Sequence, residues 1–211
     1  MRIILDRIVK NDSLHGKWLN TLSFMENAGA RKISASEDRF TTNIMQLKHA
    51  AEEHRHAYYL KKQIAKVDWN ACTDYTPKNL LAANHTMFYL HSLDIKACRY
   101  LKEHFTLDTK ALKYAAYLFV TYAIEVRADE LYPIYQEVLT QQQSKAMVKS
   151  IILEEEGHLE EMIKALQEFD KEWEQHAAVI LSIEKHLFEQ WFAAIALEVE
   201  KAYEHVRDLA G

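Results

Sequence analysis

The chain has 211 residues, 26 basic against 31 acidic side chains, a net charge of −5, and only four Gly and two Pro. That length suits one sizeable domain, here expected to span residues 1–211. So few turn formers exclude an all-β chain, and an acidic balance without a Lys/Arg cluster argues against a nucleic-acid partner.

The opening stretch MRIILDRIVKND carries an apolar patch too short and too charged for a signal peptide. Apolar residues then recur at three- and four-residue steps almost throughout, which is the helical period. A first helix is expected over residues 13–34, with Leu19, Leu22, Ala30 and Ile33 on one stripe. Asn43 and Gln46 form a capping-box pattern for a second helix running to about residue 66. The segment DWNACTDYTPKN reads as a loop, followed by a helix near residues 80–104.

Asp108 or Thr109 caps a long helix to about residue 139, which Pro133 is expected to kink because it lacks a helical N–H. TQQQS breaks the chain before a helix over residues 144–169, and a last helix covers about 172–209. The expected fold is all-α: two helix pairs, with a core bundle at about 13–169, a crossover carrying its own helix, and a long C-terminal helix. The two cysteines, Cys72 and Cys98, form no Cys-x-x-Cys pair, which fits reduced thiols in a cytoplasmic protein. Uncharged stretches such as HAAVILSI and QWFAAIAL fall below the roughly 18–20 residues of a membrane span.

Two Glu-x-x-His pairs stand out, Glu53/His56 and Glu155/His158. With 11 His in the chain, about one such pair arises by chance, so position rather than count discriminates. Residues three apart share a helix face, and each pair interrupts an apolar stripe: Ala50, Ala57, Leu60 and Ile64 around the first, Ile151, Met162 and Leu166 around the second. Glu26 lies among Leu19, Leu22, Ala30 and Ile33, and Glu125 ends the apolar run AAYLFVTYAI. A buried carboxylate needs compensation, yet no basic residue falls on the stripes of Glu26, Glu125 or Glu155.

The midpoint of Glu26 and Glu53 falls between Arg39 and Phe40, and that of Glu125 and Glu155 falls at Thr140. Both midpoints lie in expected turns. At about 1.5 Å rise per residue, each pair therefore reaches one level of the bundle.

The order Glu, Glu-x-x-His, Glu, Glu-x-x-His resembles the ferritin-like di-iron carboxylate superfamily, which includes bacterioferritin, rubrerythrin, the ribonucleotide reductase small subunit and the aldehyde-deformylating oxygenases. The resemblance implies a ferritin-like four-helix bundle with metal ligands Glu26, Glu53, His56, Glu125, Glu155 and His158. It implies two iron ions, or manganese in place of one or both, bridged by Glu53 and Glu155. Gly29 then leaves room over one metal, and Tyr122, one turn before Glu125, can donate a hydrogen bond or an electron. His49 is a candidate for a further ligand or supporting donor, and Glu154 for orienting a histidine on a neighbouring helix. His54, Glu52, Glu156, Glu160 and Glu161 read as exposed charge.

The function so implied is a di-iron oxidase or oxygenase activating dioxygen for a small organic substrate, fed by an external electron donor, in a monomer or homodimer. A rubrerythrin-like peroxidase or a ferroxidase would use the same site on peroxide or iron. A non-enzymatic helical interaction protein would instead pair its buried glutamates with Lys, Arg or His.

Overall fold

The computed structural model describes residues 1–41, 43–68 and 72–210; Trp69, Asn70 and Ala71, inside the expected loop, lie outside the described residues. Among the described residues there are seven α-helices and no strand, so the fold is all-α. No described helix is long and apolar enough to cross a membrane.

The first helix, α1 (Arg2–Val9), was not expected from the sequence. It has no side-chain cap, and eight residues are marginal for a helix alone. What holds it is burial of Leu5 and Ile8 in the core. Next, α2 (Asp12–Ser36) is capped by Asn11, whose side chain accepts from the Leu14 N–H. Asn43 caps α3 (Ile44–Val67) as expected, accepting from Met45 and Gln46 N–H. The reciprocal half of the capping box is not made, because the Gln46 amide donates to Ser36 Oγ at 3.0 Å instead.

A single 3-10 turn, Pro77–Asn79, leads into α4 (Ala83–His104). Asp108 caps α5 (Thr109–Gln141), and this helix continues through Pro133. Then α6 (Lys149–Phe169) starts five residues later than expected. Residues before it are held instead by glutamine side chains, with Met147 N–H donating to Gln63 and Val148 N–H to Gln136. Last comes α7 (Trp173–Ala210).

The tightest pairings are α2 with α3 and α5 with α6, while α4 packs on α5 and α7. Their core divides into two apolar clusters. One holds Leu19 and Leu22 of α2, Leu60 and Ile64 of α3, Leu131 and Val138 of α5, and Ile151 of α6. The other holds Ile33, Ala50, Phe119 and Met162 from the same four helices. On every one of these helices, Glu26, Glu53/His56, Glu125 or Glu155/His158 falls between the two clusters. A polar layer thus crosses the bundle where the apolar stripes break.

Helix α7 is tied over α4 and α5 by a buried ion pair that sequence reasoning missed. Glu184, 1% exposed, accepts from Arg127 Nε at 3.0 Å, Arg127 Nη2 at 2.8 Å and the Tyr89 hydroxyl at 2.7 Å. Arg127 also lies 3.9 Å above the Phe188 ring. Breaking such a pair strands a charge, whereas replacing both partners does not. Arg127→Met is therefore expected to cost roughly 3–5 kcal/mol in denaturant unfolding. The double replacement Arg127→Met/Glu184→Met should recover most of that loss, and equal losses in both variants would contradict this reading.

Candidate metal centre

Six residues from four helices meet in the polar layer. Glu26, Glu53, His56 and Glu155 each present one ligand atom, all within 4.8 Å of one another; so do Glu53, Glu125, Glu155 and His158. Glu53 and Glu155 belong to both groups. All six are buried except Glu26, which is half-buried. None of the four glutamates pairs with Lys or Arg among the described residues; their cationic neighbours are His56 and His158.

Each histidine turns one nitrogen inward and one outward. His56 Nδ1 lies 3.0 Å from Glu155 Oε1, and its Nε2 lies 2.7 Å from Glu154. His158 Nδ1 lies 3.3 Å from Glu155 Oε2, and its Nε2 lies 2.6 Å from Glu52. The arrangement is reciprocal, since the glutamate preceding each Glu-x-x-His holds the histidine of the other helix. Arg55 joins the two outer carboxylates, 2.8 Å from Glu154 and 3.4 Å from Glu52. A carboxylate on Nε2 fixes the tautomer and leaves the Nδ1 lone pair for a ligand inside.

Glu52 is thus no exposed charge, contrary to expectation, and the signal was available. The stretch Glu-Glu-x-x-His occurs in both helices, so the role argued for Glu154 applies to Glu52 by symmetry. Glu161 corrects a similar expectation, because it accepts from Lys48 at 2.6 Å and lies 2.8 Å from His49 Nε2. His54, Glu156 and Glu160 are exposed as expected.

His49 presents neither ring nitrogen to the cluster. Nδ1 meets the Tyr117 hydroxyl at 2.8 Å and Nε2 meets Glu161, while the ring sits 4.7 Å from that of His158. Tyr122 packs edge-on against Trp173, with ring centres 5.6 Å apart. The phenol at the cluster is Tyr132, which donates to Glu26. It lies seven residues after Glu125, two turns on along the same face, a spacing that the sequence displayed.

Protonation compensates the crowding of carboxylates when no ion is bound. Burial, reinforced by the Glu26 charge, pushes the Glu53 carboxyl well above the usual range. Burial and the neighbouring Glu155 do the same to Glu125. For Glu155, burial is outweighed by hydrogen bonds from Glu125, His158 and His56, and its pKa falls. For His56, burial is outweighed by Glu155, Glu26 and Glu154, and its pKa rises to about 9; His158 is raised as well, chiefly through Glu155.

Two buried atoms of the cluster make no well-aligned hydrogen bond: Glu125 Oε2, and His56 Nδ1, whose 3.0 Å approach to Glu155 Oε1 is an ion-pair contact of poor hydrogen-bond geometry. Such an imidazole nitrogen and carboxylate oxygen, both in the ligand groups, are what a bound cation would satisfy. The residues present therefore fit a metal ion.

A largely apolar cavity of about 510 Å³ between α2, α4 and α5 has Glu26, Glu53 and Glu125 of the cluster in its lining. Gly29 lines it, and a Cβ there would sit in ordinary van der Waals contact with Glu53 Oε2 at 4.0 Å, so the position would accept a methyl group. The volume lies within the roughly 300–1,000 Å³ typical of small-molecule sites.

Compared with family models, curated proteins and solved structures, the chain has no match. The case for a metal ion therefore rests on the chain's own residues.

Proposed function

We propose that the protein is an oxidase or oxygenase of the ferritin-like di-iron type, holding two ions between α2, α3, α5 and α6. The observation that carries this reading is the sharing of Glu53 and Glu155 by two ligand groups, each within 4.8 Å. Those two carboxylates would be shared between the ions, with Glu26 and His56 available to hold one and Glu125 and His158 the other. Four carboxylates and two divalent ions balance in charge, and an oxygen and imidazole donor set without thiolate suits iron or manganese.

The chemistry such a pair would supply here is reduction of dioxygen. The chain's own residues do the rest. Glu154 and Glu52 keep both histidines oriented, Tyr132 holds Glu26 by a hydrogen bond, and the apolar cavity excludes water beside the cluster. Insertion of oxygen into a substrate C–H bond consumes one dioxygen, two protons and two electrons from an external donor, and yields the alcohol and water.

The cavity favours an organic substrate over iron itself, because its lining is mostly apolar, Leu22, Met25, Ile33, Leu93, Val120 and Ile124 among it, although Asp94, Cys98 and Thr121 also line it. A peroxidase or ferroxidase would need only the ligand set and has no use for such walls. A purely structural role would rest on His56 and His158 as the basic partners of the buried glutamates, and it predicts no stoichiometric metal uptake.

Anaerobic loading with Fe²⁺ followed by addition of oxygen tests the proposal. We expect about one dioxygen reduced per two irons, faster than free Fe²⁺ oxidises in the same buffer, with the ferric iron retained. Oxidation at the free-ion rate would overturn it. Release of ferric iron, or its accumulation far beyond two per chain, would favour the ferroxidase reading.

A further inference from the structure

The cluster faces two ways. Toward α2, α4 and α5 lies the mostly apolar cavity, where a hydrated cation would have to leave its water for carbon. On the other side the cluster is covered by side chains of α3 and α6. These two helices are not a closely packed pair, since α3 packs on α2 and α6 on α5. Between them runs a ladder of polar contacts. Lys48 meets Glu161 at 2.6 Å, Glu52 meets His158 at 2.6 Å, and Arg55 meets Glu154 at 2.8 Å. The rungs advance along α3 in steps of three or four residues and run back along α6 in the same steps. All of them therefore lie on one seam.

The seam is thin. Glu154 and Glu52 are 30% and 22% exposed, whereas the His56 and His158 side chains they hold are 2% and 1% exposed. One carboxylate thus stands between water and each imidazole, and each imidazole turns its other nitrogen to the cluster. Arg55, itself 52% exposed, spans both carboxylates. Its guanidinium forks onto Glu154 at 2.9 and 2.8 Å and reaches Glu52 at 3.4 Å. It neutralises the two groups that an arriving cation would meet first, and it ties α6 to α3 in front of them. An ion pair this exposed is weak and opens readily.

We propose that divalent cations reach the cluster between α3 and α6, received by Glu52 and Glu154, and that Arg55 is the latch on this route. When Arg55 swings out it bares two carboxylates, hard oxygen donors suited to Mn²⁺ or Fe²⁺. The cavity is then left to organic substrate and dioxygen, so ions and substrate arrive by separate doors. The route rests on the metal reading of the cluster.

Stopped-flow mixing of the metal-free protein with Co²⁺ under nitrogen, followed by the visible bands of the bound ion, tests the proposal. Release into excess chelator gives the reverse rate. Arg55→Gln should speed uptake and release alike, roughly three- to tenfold, and change equilibrium affinity by less than about threefold. Arg55→Lys keeps the charge but loses the fork, and its rates should fall in between. An arginine that merely steadied the histidines would, once removed, speed release alone. Val120→Phe, which narrows the cavity, should take up Co²⁺ at the wild-type rate. Three results would each overturn the route while stoichiometric Co²⁺ binding keeps the metal centre: wild-type uptake in Arg55→Gln, faster release without faster uptake, or slowed uptake in Val120→Phe. No stoichiometric Co²⁺ in the wild type would remove both.

Discussion

Glu155→Ala is expected to abolish the binding of both metal ions, not of one. Glu155 belongs to both ligand groups and touches both histidines, through Oε1 to His56 and Oε2 to His158. Its removal takes one negative charge and one oxygen donor from each ion's surroundings. Outer-shell partners alone are worth about 10–100-fold in metal affinity, so a shared inner ligand should exceed about 100-fold.

A graded series follows. Glu53→Ala should behave like Glu155→Ala, whereas Glu26→Ala and Glu125→Ala should each weaken one ion and spare the other. Glu52→Gln and Glu154→Gln, which keep the shape but remove the charge facing the histidine Nε2, should each cost about 10–100-fold. Competitive titration with a coloured chelator reads all six variants, and circular dichroism checks that each is folded. Indistinguishable metal content across the series would sink the assignment.

The second large effect is an exchange of protons for metal. Without an ion, Glu53 and Glu125 hold protons because burial raises them, and His56 and His158 are cationic because their carboxylate neighbours outweigh burial. Glu53, Glu125, His56 and His158 then hold four protons, one each, a charge of +4 relative to their deprotonated forms. Two divalent ions replace those four protons and leave the same total. Metal binding near neutral pH should therefore release up to about four protons per two ions. Calorimetry in buffers of different ionisation enthalpy counts them, and release near zero would contradict the scheme. Affinity should accordingly climb steeply with pH.

The same shifts set the stability of the metal-free protein. Raised folded-state pKa values mean that the folded state binds more protons than the unfolded one, so stability falls as pH rises. For His56 the contribution is complete below the ordinary histidine value of 6.5 and is lost as pH climbs through about 9. The raised Glu53 and Glu125 act in the same direction above the ordinary carboxyl value. Glu155 is depressed and works oppositely, but its effect is lost only at acid pH, below the ordinary carboxyl value. Between pH 6.5 and 9 the metal-free protein should thus lose stability, with His56 alone contributing on the order of 2–3 kcal/mol. Saturating metal should flatten that slope, because the liganded groups no longer carry protons. A metal-free protein equally stable at both ends of this window would contradict it.

The six-residue cluster was legible because carboxylates on apolar stripes are expensive, and because Glu26/Glu53 and Glu125/Glu155 mirror each other about expected turns. Helix ends were legible wherever a side-chain cap existed, as at Asn43 and Asp108. The first helix was not, since Leu5 and Ile8 form it through contacts that the local sequence does not announce. The start of α6 was misplaced because Gln63 and Gln136, distant in the chain, satisfy the N–H groups before it.

Long-range polar partners were the weakest part of the sequence reading. Glu161 lies among exposed charges, and only the facing helix shows that it meets a histidine, whereas Glu52 could have been inferred from the Glu-Glu-x-x-His that both helices share. Tyr122 drew attention by its distance from Glu125 along the helix. The rotation of α5 turns it to Trp173 and presents Tyr132 to the cluster instead. The cavity, formed by three helices at their common boundary, has no one-dimensional signature.

The most direct test is the crystal structure of the protein loaded with Mn²⁺ or anaerobically with Fe²⁺, read from an anomalous difference map. The account predicts two peaks in the polar layer, one within coordination distance of Glu26 and His56, the other of Glu125 and His158, with Glu53 and Glu155 reaching both. A map without density between these six side chains, or with a single ion that Glu53 and Glu155 do not share, would contradict it.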